Sequence, residues 1–257
     1  MKGLSVLLLL ALVLCLFSYN ALALDKKGLV LYLNFDEGKG DTAADLSGNN
    51  NDGKLLGGAT WAEGKIKGGI YLAEIPDRVD VADDDSLDIT DAITMAIWAN
   101  IESLPQTYCS LFQKPTAYML HTMTGGDGVK IDPLVFIGGA YGAWPTPVNV
   151  SATLNEWHHL AATYDGKGYD IYVDGKRIDG YDRQTAGKID VDDNVLTIGR
   201  DTRAGCTERN SPGAIDEASV WSRVLSEAEI RELMNGGLTA VEPGYKLSIS
   251  WGNIKAE

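Results

Sequence analysis

The sequence predicts an all-β protein, a sandwich of the jelly-roll type carrying one short C-terminal helix. Three observations point there. Short runs of alternating or continuous apolar residues recur along the chain, rich in Val, Ile, Tyr and Trp. Gly-, Asn- and Asp-containing turns separate them at fairly even intervals. Helical periodicity occurs once, near the end. With 257 residues the chain is long enough to bury a substantial core in one large domain or two small ones. It shows no internal repeat and no low-complexity stretch.

The elements follow in order. GLVLYLNFD, from Gly28 to Asp36, sets Leu29, Leu31, Leu33 and Phe35 against Val30, Tyr32 and Asn34, which predicts a half-buried strand. Gly68 to Glu74 and Arg78 to Asp83 predict two more. Ile93 to Ile101 is nearly all apolar and predicts a central strand with Trp98 in the core. Glu156 to Gly180 predicts a three-stranded meander. Trp157 to Tyr164 and Tyr169 to Val173 are joined by a Gly-rich turn, and Asp174-Gly175 is a type I′ hairpin dipeptide. Val195 to Arg200 and Gly213 to Ser222 predict the last strands. Ser226 with Glu229 three residues on is a capping box. Ile230, Leu233 and Met234 then form the apolar stripe of a helix that lies on the outside of the sheets, and Asn235-Gly236-Gly237 stops it.

The two ends read differently from this body. A basic start, the apolar run Val6 to Phe17 and a small-x-small end at Ala21-Leu22-Ala23 predict a secretory signal peptide over residues 1–23. The alternative is an N-terminal anchor, but the run is shorter than the ~20 residues a span needs. The folded domain is placed at 24–238 and a C-terminal tail at 239–257, after which no membrane span is expected in the mature chain. The formal net charge of −14 repels phosphate backbones and anionic lipid, which argues against nucleic acid as a partner. Cys15 lies in the leader. Cys109 and Cys206 remain, an even number for an oxidising compartment, and a single disulfide between them is expected. It would close a loop of about a hundred residues and stabilise by ~4 kcal/mol on the chain-entropy model. Two thiols, one or both buried, are the alternative.

Five segments occur in order between about Leu29 and Leu233. They are FDEGKGDTAADLSGNNNDGKLLGGATW, ITMAIW, WHHLAATYDG with YVDGK, LTIGR and GAIDEASVWSRVLSEAEI. Together they resemble a laminin-G-like domain of the concanavalin A-like lectin/glucanase superfamily. The resemblance implies a jelly-roll sandwich of two curved antiparallel sheets, one concave. It also implies a choice among carbohydrate-binding modules, adhesion domains and, more distantly, glycosidases, many with one calcium ion at the sandwich edge.

DLSGNNNDG spaces oxygen-bearing side chains at Asp45, Ser47, Asn49 and Asn51. It fails as an EF-hand, because Asn50 stands where that loop needs Gly and Leu56 where it needs Glu. What the resemblance implies is a shared site, with Asp45 or Asp36 brought near Asp216 and Asn49 or Asn51 adding a carbonyl to a structural Ca²⁺. The alternative is an Asx-turn at Asp45 with Asn residues that only permit φ > 0. The E-x-D-x-E strand of the related glucanases is missing. Adjacent Asp216 and Glu217 should face opposite sides of their strand, so no catalytic carboxylate pair is expected. His158 and His159 likewise cannot chelate together, and His121 is distant in sequence. Sugar recognition needs an apolar platform and fixed polar groups. Asp127, Tyr141 and Trp144, amid the glycines of Met123 to Pro147, are the candidates, with packing of the two aromatics against the sheet as the alternative. The expectation is a secreted, non-catalytic binding module for carbohydrate, held by calcium. An extracellular protein partner is the competing class, and a glycoside hydrolase the weaker one.

Overall fold

The computed structural model describes residues 24–238, apart from 126–127, 143–147 and 180–184. The leader, the tail, Asp127 and Trp144 lie outside the described residues. The first part of the chain forms β1 (Leu29–Leu33), β2 (Thr42–Ala43), β3 (Gly53–Leu56), β4 (Thr60–Glu63), β5 (Gly68–Leu72) and β6 (Arg78–Val81), then a 3-10 turn at Asp85–Leu87. The middle forms β7 (Ile93–Ile101), β8 (Cys109–Lys114), β9 (Tyr118–Gly125), β10 (Gly128–Ile137), β11 (Ala140–Tyr141) and β12 (Val148–Ala152). After these come β13 (Trp157–Tyr164), β14 (Tyr169–Val173), β15 (Lys176–Arg177), β16 (Leu196–Ile198), β17 (Gly213–Trp221) and the helix α1 (Glu227–Met234).

These strands build the two antiparallel sheets of a jelly-roll sandwich. One has eight strands in the order β15-β14-β13-β7-β17-β5-β4, with β1 also on β17. The other has nine in the order β11-β10-β9-β8-β16-β6-β3-β2, with β12 also on β10. The core lies between them, where Ile97, Leu160, Ile171 and Ile215 of the first sheet meet Val79, Phe112, Leu120, Ile131 and Ile198 of the second. Each such side chain contributes about 1.5–3 kcal/mol by leaving water.

The outer face of the eight-stranded sheet is covered as well. Ile230 and Leu233 of α1 pack on Tyr32, Ala96, Ala161, Tyr172 and Trp221. Ser226 accepts from Glu229 N–H while the Glu229 carboxylate accepts from Ser226 N–H, the reciprocal cap expected from the sequence. This covering explains why β1 is buried on both faces instead of one. It also relocates Trp98. The ring lies on this outer side, opposite Asp216 and His159 in register, and donates from Nε1 to Met234 O at 3.1 Å. Strands β8 to β12 have no clear signature in the sequence. Their outward positions carry Ser110, Gln113, His121 and Asp132, which are buried and polar and so break the alternation that marks a half-exposed strand.

Candidate functional site

The polar residues of β8, β9 and β10 form one buried layer on the outer side of the nine-stranded sheet. Thr197, Gln113, Met119 and Leu134 stand opposite one another across β16, β8, β9 and β10. Beside them runs a second row, Ser110, His121 and Asp132. Met119, Leu134 and Phe136 make a small apolar cluster there, separate from the core.

An aromatic platform stands next to this cluster. The Tyr141 ring is 4.5 Å from that of Phe136 and is 41 % exposed. Its position is set by the turn before it. Gly138 and Gly139 both have positive φ, at 64° and 80°, which glycine adopts without strain. Their N–H groups donate to the Asp190 carboxylate at 2.9 and 2.7 Å. Arg203 Nη1 donates to the Tyr141 hydroxyl. The guanidinium is in turn locked by Asp201, with Nε to Oδ1 at 3.1 Å and Nη2 to Oδ2 at 2.6 Å. Gln113 completes the chain, donating to Asp201 at 2.6 Å and accepting from Thr202 N–H at 2.8 Å. Burial alone would push the Asp201 carboxyl up, but the Arg203 and Gln113 hydrogen bonds and the Arg203 charge outweigh it and hold it below the usual range.

The second row holds two groups that the sequence did not connect. Neither nitrogen of His121 and neither oxygen of Asp132 has a hydrogen-bond partner, and both residues are buried. Burial, helped by the Arg203 charge, pushes the imidazole down to about 3, and burial pushes the carboxyl up to about 7. Ser110 completes a Ser-His-Asp composition in this row, yet its hydroxyl donates to Phe112 O at 3.2 Å and makes no bond to the imidazole. The row is no nucleophile triad.

Of the sequence-derived candidates, only Tyr141 belongs to this site within the described residues. Of the calcium set, Asp45, Asn49 and Asn51 are not brought to Asp216. Asp45 accepts from Tyr32 N–H and Ser47 N–H at 2.9 Å, Asn51 N–H at 3.0 Å and Ser47 O–H at 2.6 Å. Asn49 and Asn51 each donate from the side-chain amide to Val30 O, at 2.9 and 3.0 Å. The Asx-turn of the alternative forms at Asp45, while Asn49 and Asn51 hold Val30 O and the positive φ falls at Asn50. Asp216 lies elsewhere, against the Gly64 turn, and accepts from Ile66 N–H at 2.8 Å and Glu217 N–H at 2.7 Å. Asp36 lies near it and takes Gly68 N–H at 3.0 Å and Lys67 at 3.2 Å. Lone pairs already held by N–H donors are not offered to a metal, and no three His, Cys, Asp or Glu side chains converge as a metal site among the described residues. The residues present do not fit a calcium clasp between Asp45 and Asp216.

Two further expectations are corrected. A bulge at Glu217, with φ 52°, interrupts the alternation of β17, so Asp216 and Glu217 do not part to opposite faces. Glu217 accepts from the Tyr32 hydroxyl at 2.6 Å on the same outer side. Burial first, then the neighbouring carboxylates, raises Asp216 to about 8, and burial raises Glu217 to about 7 against the Tyr32 hydrogen bond, so protons relieve the charge. The disulfide is not formed. Cys109 and Cys206 are free thiols, Cys109 buried with Sγ directed at Gln106 O at 3.1 Å and Cys206 in a turn between Arg203 and Arg209. The histidines behave as their strand positions require. His158 pairs with Asp174 at 2.9 Å, and His159 is buried beside Trp98 on the other face.

The family model of laminin-G type described as the concanavalin A-like lectin/glucanases superfamily matches residues 72–231. The chain belongs to this superfamily. Among curated relatives it is similar to mouse pappalysin-1, at 24 % identity over 182 residues, which are 64 % of this chain and 11 % of that protein. It therefore spans about a tenth of that relative's length. Among solved structures, the sandwich resembles domain 4 of the extracellular arabinanase AbnA of Geobacillus stearothermophilus in complex with arabinotriose. The TM-score is 0.62 at 17 % identity, over 80 % of this chain and 98 % of that one. It also resembles the binding domain of Paraclostridial Mosquitocidal Protein 1, with TM-score 0.64 and 18 % identity over 83 % of this chain and 53 % of that one. At these identities the structural likenesses show the sandwich fold alone. The superfamily's sheet scaffold is kept, while Gln113, His121, Asp132, Asp201 and Arg203 come from strands and a loop that sequence periodicity does not mark.

Proposed function

We propose that this chain is a non-catalytic carbohydrate-binding module, and that a sugar ring stacks at Tyr141 with its hydroxyls met by Arg203. The observation that carries this is the half-exposed Tyr141 ring, backed by Phe136 and fixed through Arg203, Asp201 and Gln113. An apolar face beside a pre-positioned charged donor is what a pyranose or furanose needs, and a locked guanidinium loses little freedom on binding. Membership of a superfamily that contains lectins supports the reading, as does the arabinotriose complex of the AbnA domain. Binding rather than hydrolysis is favoured by the carboxylates near the platform. Two would have to act as acid and base. Asp201 is engaged by Arg203, Asp190 holds the Gly138 and Gly139 N–H groups, and Asp132 is buried beneath the surface. Export is part of the reading and rests on the leader-like residues 1–23; among the described residues no helix is long and apolar enough to cross a membrane.

A glycan array probed with the full chain and with Tyr141→Ala tests the proposal. Signals for the wild type that vanish in the variant support it. Wild-type binding to an extracellular protein with no glycan signal would favour the adhesion class instead.

A further inference from the structure

A second arginine and a second aromatic continue the Tyr141 platform past Asp201. Arg203 Nη2 and Arg209 Nη1 both approach the same oxygen, Asp201 Oδ2, at 2.6 and 3.7 Å, so the two guanidiniums stand side by side. Arg209 lies over the Tyr108 ring, 5.5 Å from its centroid, as Arg203 lies 5.8 Å from that of Tyr141. The loop that carries both arginines is braced by its own backbone. Asp201 N–H donates to Arg209 O at 2.8 Å, and Cys206 N–H to Arg203 O and Arg209 N–H to Cys206 O at 3.0 Å each. Arg200 Nε adds a bond to Thr207 O at 3.1 Å. Tyr108 itself has φ 64°, in the left-handed region that bulky side chains rarely take.

The two arginines are not equally occupied. Arg203 directs its donors to Asp201 and the Tyr141 hydroxyl. Among the described residues, the Arg209 guanidinium has only the 3.7 Å approach to Asp201 and the Tyr108 ring, and its side chain is 29 % exposed. One fully buried carboxylate thus faces two guanidiniums. Glu208, the other acid of the loop, is exposed and pairs with neither among the described residues. The local charge is positive in a chain whose formal net charge is −14. His121 registers the same excess. Burial first and then the Arg203 charge keep its imidazole neutral, with Asp201 opposing and Arg209 adding to the effect. Its buried ring stands 6.1 Å from that of Tyr108, and both its nitrogens lack a partner. The planar fork of a guanidinium matches the paired oxygens of an oxyanion. We propose that the glycan bound at Tyr141 is an acidic one, its anionic group held by the open fork of Arg209 while Tyr108 keeps that guanidinium in place. This rests on the carbohydrate reading above and adds the class of sugar. The acidic remainder of the chain repels polyanions at long range, so the fork selects an anion fixed to the bound sugar rather than charge at large.

A glycan array carrying uronate-, sialate- and sulfate-bearing oligosaccharides beside their uncharged counterparts tests this on the full chain. Wild type, Tyr141→Ala, Arg209→Gln and Arg209→Lys are compared, with their folding checked by circular dichroism. Wild type should bind an acidic member at least about tenfold more tightly than its uncharged counterpart, the scale of a charge-assisted pair. Signals on the carboxylated or on the sulfated members identify which anion is the source. Arg209→Gln should remove the acidic preference, and Tyr141→Ala should remove every signal. Arg209→Lys keeps the charge without the fork and should lower the preference at least about threefold, which serves as the variant arm if Arg209→Gln does not fold. Wild type that binds acidic and uncharged members equally, with both lost in Tyr141→Ala, overturns this inference and leaves the carbohydrate reading standing. An acidic preference that is unchanged in the Arg209 variants also overturns it. No glycan signal from wild type overturns the carbohydrate reading and this inference with it.

Discussion

Asp132→Asn should stabilise this protein at high pH and leave it unchanged at low pH. The Asp132 carboxyl is buried without a partner, and burial raises it from 3.8 to about 7. Between these values the folded chain holds a proton that the unfolded chain releases. Stability therefore falls as pH rises through this window and reaches its full loss above the folded value. The span is about 3 units, which at 1.36 kcal/mol each sets a ceiling of about 4 kcal/mol. Asparagine keeps the shape and cannot ionise, so the variant escapes that loss. Asp216, Glu217 and the buried histidines titrate in both proteins and largely cancel in the difference. Melts followed by circular dichroism should show equal melting temperatures at pH 4 and a variant roughly 5–10 °C higher at pH 8.5. Parallel curves for the two proteins, or a variant that is less stable at pH 8.5, would refute the reasoning.

Other outcomes follow from the same geometry. Asp45→Ala removes four hydrogen bonds to a carboxylate and should destabilise by about 2 kcal/mol in urea unfolding, while EDTA should leave the wild-type melting temperature where it is. Leu233→Ala, at a buried position under α1, should cost about 3 kcal/mol, and Ser226→Ala at its cap about 1 kcal/mol, both read by urea midpoints. With an aromatic disulfide reagent on the native protein, Cys206 should react quickly. Cys109 should react only on unfolding, since burial raises its thiol and shields it.

The fold was legible where one periodicity dominated. β1 and β7 carry near-continuous apolar runs, the Asp-Gly hairpin dipeptide marks the β13–β15 meander, and the capping box located the start of α1. What escaped was written in buried polar residues. Lys114, Gln113, His121 and Asp132 look like surface positions in sequence, because their partners are an acidic cage, a guanidinium network and the apolar face itself, all assembled from distant segments. Arg203 and Asp201 sit in a loop whose composition says only that it is polar. Tyr141 could be picked because an aromatic among glycines is unusual, but the arginine that orients it lies 62 residues later. Asp45 misled for a different reason: alternate oxygens serve an Asx-turn as well as a cation, and only the direction of the neighbouring N–H groups separates the two.

The most direct test of the account is titration calorimetry of the strongest glycan from the array against wild type, Tyr141→Ala and Arg203→Ala. Saturable binding by the wild type that weakens at least tenfold in both variants, with their circular dichroism unchanged, is the predicted result. Binding that is equal in all three proteins, or no glycan binding by the wild type, would contradict it.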